Sequence, residues 1–166
     1  MPYMDSVQKK PQILDKRAAL LKVESWCAYQ ERAQQEVRNK LYEYGLHQNE
    51  VEELITELIV TNFLNEERFA MAYVSGKVNI KKWGRIKIKQ GLKFKKVPDK
   101  LIQKALNSID GDKYLANLLQ TAEKKMRVLN EKDPIKRKYK LVTYLQTKGF
   151  EKDLIFDVLK NNNLTD

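Results

Sequence analysis

The 166-residue sequence has the size of one ordinary domain. Its 42% hydrophobic and 33% charged residues, with six Gly and four Pro, exclude a disordered or turn-rich chain and favour helix. The 32 Lys and Arg against 22 Asp and Glu leave a formal charge of +10, a field that draws phosphate or an acidic protein surface without naming a function. The single cysteine, Cys27, excludes an intramolecular disulfide framework and a cysteine-rich zinc site.

Residues 1–13 carry Pro2 and Pro11 among polar neighbours and read as a mobile tail. This segment lacks an apolar core of signal-peptide length, and no stretch of the sequence approaches the ~20 apolar residues of a membrane span. A cytoplasmic protein is expected. From Lys16 to Asn62 the spacing of Ala19, Val23 and Trp26, of Val37, Leu41 and Tyr44, and of Val51, Leu54, Ile55, Leu58 and Ile59 predicts three helices. Gly45 stands where a left-handed C-terminal cap belongs, and Asn49 is the expected N-cap of the helix that follows.

The same punctuation returns at roughly 50-residue spacing. Leu41, Gly45 and Leu46 line up with Leu92, Lys96 and Val97, and again with Leu145, Gly149 and Phe150. Each is followed by paired apolar residues, Leu54 and Ile55, Leu101 and Ile102, Leu154 and Ile155, with a second pair four residues on; the first copy has about one extra turn before its pair. Three helical repeats, residues 14–62, 63–110 and 111–166, are the expected organisation; an irregular helical bundle is the competing one. Pro98 and Pro134, with Asp99 and Asp133 beside them, mark helix starts. One segment conflicts with this pattern. Ile86, Ile88, Leu92 and Phe94 alternate with Lys87, Lys89, Lys93 and Lys95, the period of a half-buried strand, with Gln90-Gly91 at a possible turn. The helical context favours a helix, in which Gly91 costs ~1 kcal/mol relative to Ala.

The second repeat opens on Leu64, Asn65, Glu66, Glu67, Arg68, Phe69 and Ala70, followed by Tyr73. Physically this is an N-cap, an acidic first turn and a helix with two aromatics on one face. The run resembles the L-N-D-E-R-F-A…Y signature of the RecX family, with Glu66 in place of Asp. Lys82-Trp83-Gly84-Arg85-Ile86 is similar to the family's K-G-x-x-R-I, and Arg32 to Gly45 resembles its R-S-x-x-E-L…K-L…G. The departures are Ala33 for the usual Ser, Trp83 in the K-G step, and Lys96 for an expected Gly. The resemblance covers about residues 15–160 and implies an all-α fold of three tandem three-helix repeats in an elongated, curved array. It also implies a regulator that binds the RecA filament on single-stranded DNA and restrains strand exchange and ATP hydrolysis, with a place in recombination, DNA repair and the SOS response.

Residues 81–100 hold nine basic side chains against Asp99 alone. On a helix Lys82, Arg85, Lys89, Lys93 and Lys96 fall within one narrow arc, suited to successive phosphates or an acidic filament surface, and Lys87 of the same basic run is a further candidate. Lys136, Arg137, Lys138 and Lys140 form a second cluster. The competing reading of both is a solvated face. Residues 31–67 hold nine Glu against Arg32, Arg38 and Lys40, so charge is lopsided along the chain. Trp26, Trp83, Tyr42, Tyr44 and Tyr73 have the chemistry to stack on bases, but aromatics at helical spacing more often belong to a core.

His47 is the only histidine, and no Gly-rich phosphate loop, nucleophile elbow or carboxylate pair at recognisable spacing is present. A non-catalytic monomer without metal or cofactor is expected. Its expected partner is the RecA filament, with single-stranded DNA a further candidate for direct contact. The alternative is a helix-turn-helix-like regulator that binds DNA directly, with the Arg85 helix in a groove.

Overall fold

A computed structural model of the protein describes residues 12–164, so most of the expected N-terminal tail lies outside the described residues. Every regular element among them is helical: α1 Lys16–Tyr29, α2 Gln34–Glu43, α3 Gln48–Val60, α4 Glu66–Gly76, α5 Arg85–Phe94, α6 Asp99–Asn107, α7 Gly111–Val128, α8 Pro134–Thr147 and α9 Lys152–Asn161. A π-helical turn, Lys77–Lys81, continues α4. The chain divides into two compact units, one ending at Glu66 and one beginning at Glu67.

In the first unit α1, α2 and α3 pack on one another. Asp15 accepts the Ala18 N–H at 2.7 Å and starts α1. Ala19, Val23, Val37, Leu41, Val51 and Leu58 are fully buried, each from the apolar stripe that its spacing predicted, whereas Ile59 of the same stripe is 43% exposed. Cys27 lies in this core as a small hydrophobe, and burial pushes its thiol up to about 11. Asn49 is not the N-cap of α3. The helix begins two residues earlier than that cap would place it, with His47 at the cap and the Glu50 carboxylate accepting the His47 N–H at 3.5 Å.

The three-fold punctuation has a backbone counterpart. Gly45, Lys96 and Gly149 have φ of 84°, 59° and 94°, all left-handed. Leu46, Val97 and Phe150 each send their N–H back five residues, to the carbonyls of Leu41, Leu92 and Leu145, at 3.4, 3.1 and 3.2 Å. This bonding uses carbonyls that a helix end otherwise leaves unpaired, and it buries the apolar residue just beyond the cap. Lys96 adopts the glycine conformation at a cost of about 1 kcal/mol.

Residues 86–94 are not a hairpin. They form α5, with Ile88 and Leu92, one turn apart, fully buried, while Ile86 and Phe94 remain 47% and 88% exposed. Gly91 is there for space, since a Cβ on it would lie 2.0 Å from the Tyr73 hydroxyl. Pro134 takes the first position of α8, whereas Pro98 is the N-cap of α6 with Asp99 in its first turn. In the second unit α5 packs on α6, and α7 on α8 and α9. Tyr114, Leu118, Leu141, Leu145, Phe150 and Ile155 centre the core of the last three helices.

Candidate partner-binding face and the joint beneath it

The cations of residues 82–96 sit on a joint that holds α5 against the last three helices. Its centre is a backbone crossing. Gly84 N–H donates to the Lys148 carbonyl at 2.8 Å, and Ile86 N–H to that of Gly149 at 3.0 Å. No side chain fits between them: a Cβ on Gly84 would meet the Gly149 carbonyl carbon at 2.1 Å, and one on Gly149 the Lys87 Cβ at 2.4 Å.

Around the crossing, polar groups satisfy one another. The Arg85 N–H, first of α5, donates to the Tyr114 hydroxyl at 3.0 Å, and that hydroxyl donates to Glu151 Oε2 at 2.8 Å. The Arg85 guanidinium lies 4.0 Å from the Tyr114 ring centre and 3.6 Å from Glu151 Oε1. Burial pushes the Tyr114 phenol well above its ordinary range. Asn117, buried on α7, donates to the Val78 carbonyl of the π turn at 3.0 Å and accepts from Lys82 Nζ at 3.3 Å.

The predicted arc therefore divides. Lys82 is not on the helix: it precedes α5 in a left-handed conformation, φ 53°, with its ammonium on Asn117. Arg85 is engaged within the joint. Lys87 is half-buried, its ammonium 4.3 Å from the Trp83 ring centre with Lys77 at 4.4 Å, so Trp83 lies between two cations. Lys89, Lys93 and Lys96 are exposed. Lys96 lies just past the end of α5; Ile86 and Phe94 are also exposed on that helix, which carries no carboxylate along its length. Of the second cluster, Lys136 is exposed, Arg137 is half-buried with an Nε that finds no hydrogen-bond partner, and Lys138 lies 5.6 Å from the Phe156 ring centre. Lys140 pairs with Glu131 at 2.7 Å, which holds that carboxyl below its usual range.

The motif residues lie in α4 and just before its start. Leu64 is buried in the first core, Phe69 and Ala70 are buried, and the Phe69 and Tyr73 rings tilt against each other at 5.8 Å. Asn65 stands immediately before α4, Arg68 is half-buried within it, and Glu67 pairs with Lys104 at 2.5 Å. Glu66, 9% exposed, accepts the Gln34 N–H at 3.0 Å and so caps α2, where Ala33 has no side-chain acceptor to offer. Trp26 packs on the first core beneath Arg32, whose guanidinium is 4.0 Å from its ring centre. Sequence reasoning missed Tyr114, Asn117 and Glu151. Only Asn117 left a trace, as a polar residue on the apolar face of α7 between Tyr114 and Leu118.

Among the described residues no group of His, Cys, Asp and Glu could hold a metal ion, and no helix is long and apolar enough to cross a membrane. Helical units that follow one another along the chain, each with a left-handed cap ending its middle helix, and a cationic helix clamped at a joint, define a tandem helical-repeat protein. Two family models match it: "RecX, second three-helix domain" over residues 65–106 and "RecX, third three-helix domain" over residues 112–159. The chain is 31% identical over 145 residues to regulatory protein RecX of Prosthecochloris aestuarii, covering 87% of this chain and 93% of that one. It is 29% identical over 153 residues to regulatory protein RecX of Bacillus mycoides, covering 92% of this chain but only 53%, about half, of that relative. The crystal structure of RecX from Lactobacillus salivarius superposes with a TM-score of 0.79 at 25% identity, over 90% of this chain and 97% of that one. The chain belongs to the RecX family.

Proposed function

We propose that the protein is a regulator that binds the RecA recombinase filament on single-stranded DNA and restrains strand exchange and the accompanying ATP hydrolysis, acting by binding rather than by catalysis. Residues 14–62, 63–110 and 111–166 are its working units, and it acts in the cytoplasm as a monomer. The observation that carries the reading is α5. Lys89 and Lys93 are exposed on this helix and Lys96 just beyond its end, unopposed by any carboxylate on it, and the helix also exposes Ile86 and Phe94. Cations give attraction and orientation, while the apolar side chains give the contact area that holds a docked partner. Repeated contact with successive subunits of a polymer then adds avidity. Direct contact with the single strand belongs to the same proposal, with these lysines on its phosphates. The alternative, Arg85 reading bases in a duplex groove, is disfavoured because its guanidinium is held by Tyr114 and Glu151.

The test is RecA ATPase on single-stranded DNA with added protein, alongside co-sedimentation with the filament. Hydrolysis should fall as the protein pellets with the filament. Unchanged hydrolysis with all the protein left in the supernatant would overturn the reading.

A further inference from the structure

A second surface lies on α8 and α9. Ile135, Tyr139 and Val142 of α8 and Phe156 of α9 line an open groove of about 270 Å³, with Lys138 and Lys152 on its rim and no carboxylate in its lining. Ile135 and Tyr139 are 82% and 71% exposed, an unusual position for two large apolar side chains one turn apart. The two ammonium groups stand 5.6 and 6.0 Å from the Phe156 ring centre. Like α5, α8 carries no acidic residue.

The chain holds an internal template for what fits there. Aligned on the buried leucines that close their helices, Leu92 and Leu145, Arg85 and Lys138 occupy the same position. Arg85 is satisfied by two groups, the Tyr114 ring and the Glu151 carboxylate. Lys138 has the ring, Phe156, but its groove supplies no carboxylate. We infer that this groove docks a protein segment in which a large apolar side chain is flanked by Asp or Glu, the anchor seated between Ile135 and Phe156 and the acids meeting Lys138 and Lys152. The branched aliphatic lining of Ile135 and Val142 suits such an anchor better than the hydrogen-bonding edges of a nucleic-acid base. The site is separate from α5 and does not rest on the recombinase reading.

Fluorescence anisotropy on the full chain tests it, with a fluorescein-labelled peptide carrying a Leu-Phe pair between glutamates. The same peptide with lysine flanks and a labelled oligo(dT) serve as competing probes. The acidic peptide should bind saturably and more weakly as salt is added, and the lysine-flanked one should not bind. Ile135→Ser and Lys138→Glu should each weaken binding by about tenfold with the helical circular dichroism unchanged, while Lys89→Glu on α5 leaves it intact. Failure of the acidic peptide to bind, equal binding of the lysine-flanked peptide, or indifference to both groove variants would overturn the inference. So would oligo(dT) binding that Ile135→Ser abolishes in the absence of peptide binding, since the groove would then be a nucleic-acid site. RecA is absent from the assay, so its outcome is independent of the filament experiment.

Discussion

At the scale of the residue, Glu66 shows how a motif position is explained by what it touches. Its carboxylate accepts from Gln34, 32 positions earlier in the chain, and supplies the cap that Ala33 cannot. Glu66→Ala should therefore cost about 1 kcal/mol in urea denaturation, whereas Glu66→Gln keeps an acceptor and should not incur that loss. Burial raises the Glu66 carboxyl above its ordinary 4.5, against the smaller opposing pull of the Gln34 N–H and Arg38. A raised carboxyl means that the ionised form is disfavoured in the fold. The stability linked to it is greatest while the group is protonated and declines as pH rises through the folded pKa. Denaturation at a series of pH values should show Glu66→Gln matching the parent below about pH 4 and gaining on it toward neutrality. A gap that moved the other way would mean that the charge is stabilising.

At the scale of the element, the left-handed caps and the joint make opposite demands on small residues. Lys96 has the backbone of Gly45 and Gly149 without their freedom, so Lys96→Gly should raise stability by about 1 kcal/mol, read as a higher melting temperature. Gly84 has an ordinary extended backbone, φ −78°, yet tolerates no Cβ. Gly84→Ala forces two backbones apart and should cost roughly 2–4 kcal/mol, visible as early melting of the second unit. These elements also show what a single sequence reveals. Gly45 and Gly149 are legible as caps because a glycine just after an apolar periodic run is the residue that a left-handed helix end requires; Lys96 is found only through its register with them. The alternation around α5 is ambiguous because Ile86 and Phe94 are exposed, imitating a strand's inner face, while Ile88 and Leu92 alone form the buried stripe. The basic clusters are visible, but not that Lys82 and Arg85 are held in place, because their partners Asn117, Tyr114 and Glu151 lie 29 or more positions away. Pairing across such distances leaves no local pattern.

At the scale of the whole molecule, function should separate from folding along the same division of cations. Lys89→Glu with Lys93→Glu changes only exposed side chains, so melting should hardly move while co-sedimentation with the filament falls and its salt dependence flattens. Loss of the helical signal in that double variant would instead give these lysines a part in the fold. The π turn carries a different consequence. It wraps one more residue into its ring than an α turn, and the Val78 carbonyl within it is taken by Asn117. Removing Ile80, whose side chain is exposed, would let the coil tighten to an α turn and draw the Val78 carbonyl off Asn117. The joint would then lose a bond, although Ile80 itself takes no part in it. A chain one residue shorter there should lose more stability, by thermal denaturation, than any single truncation of a surface lysine, and length through this bend is held as strictly as identity.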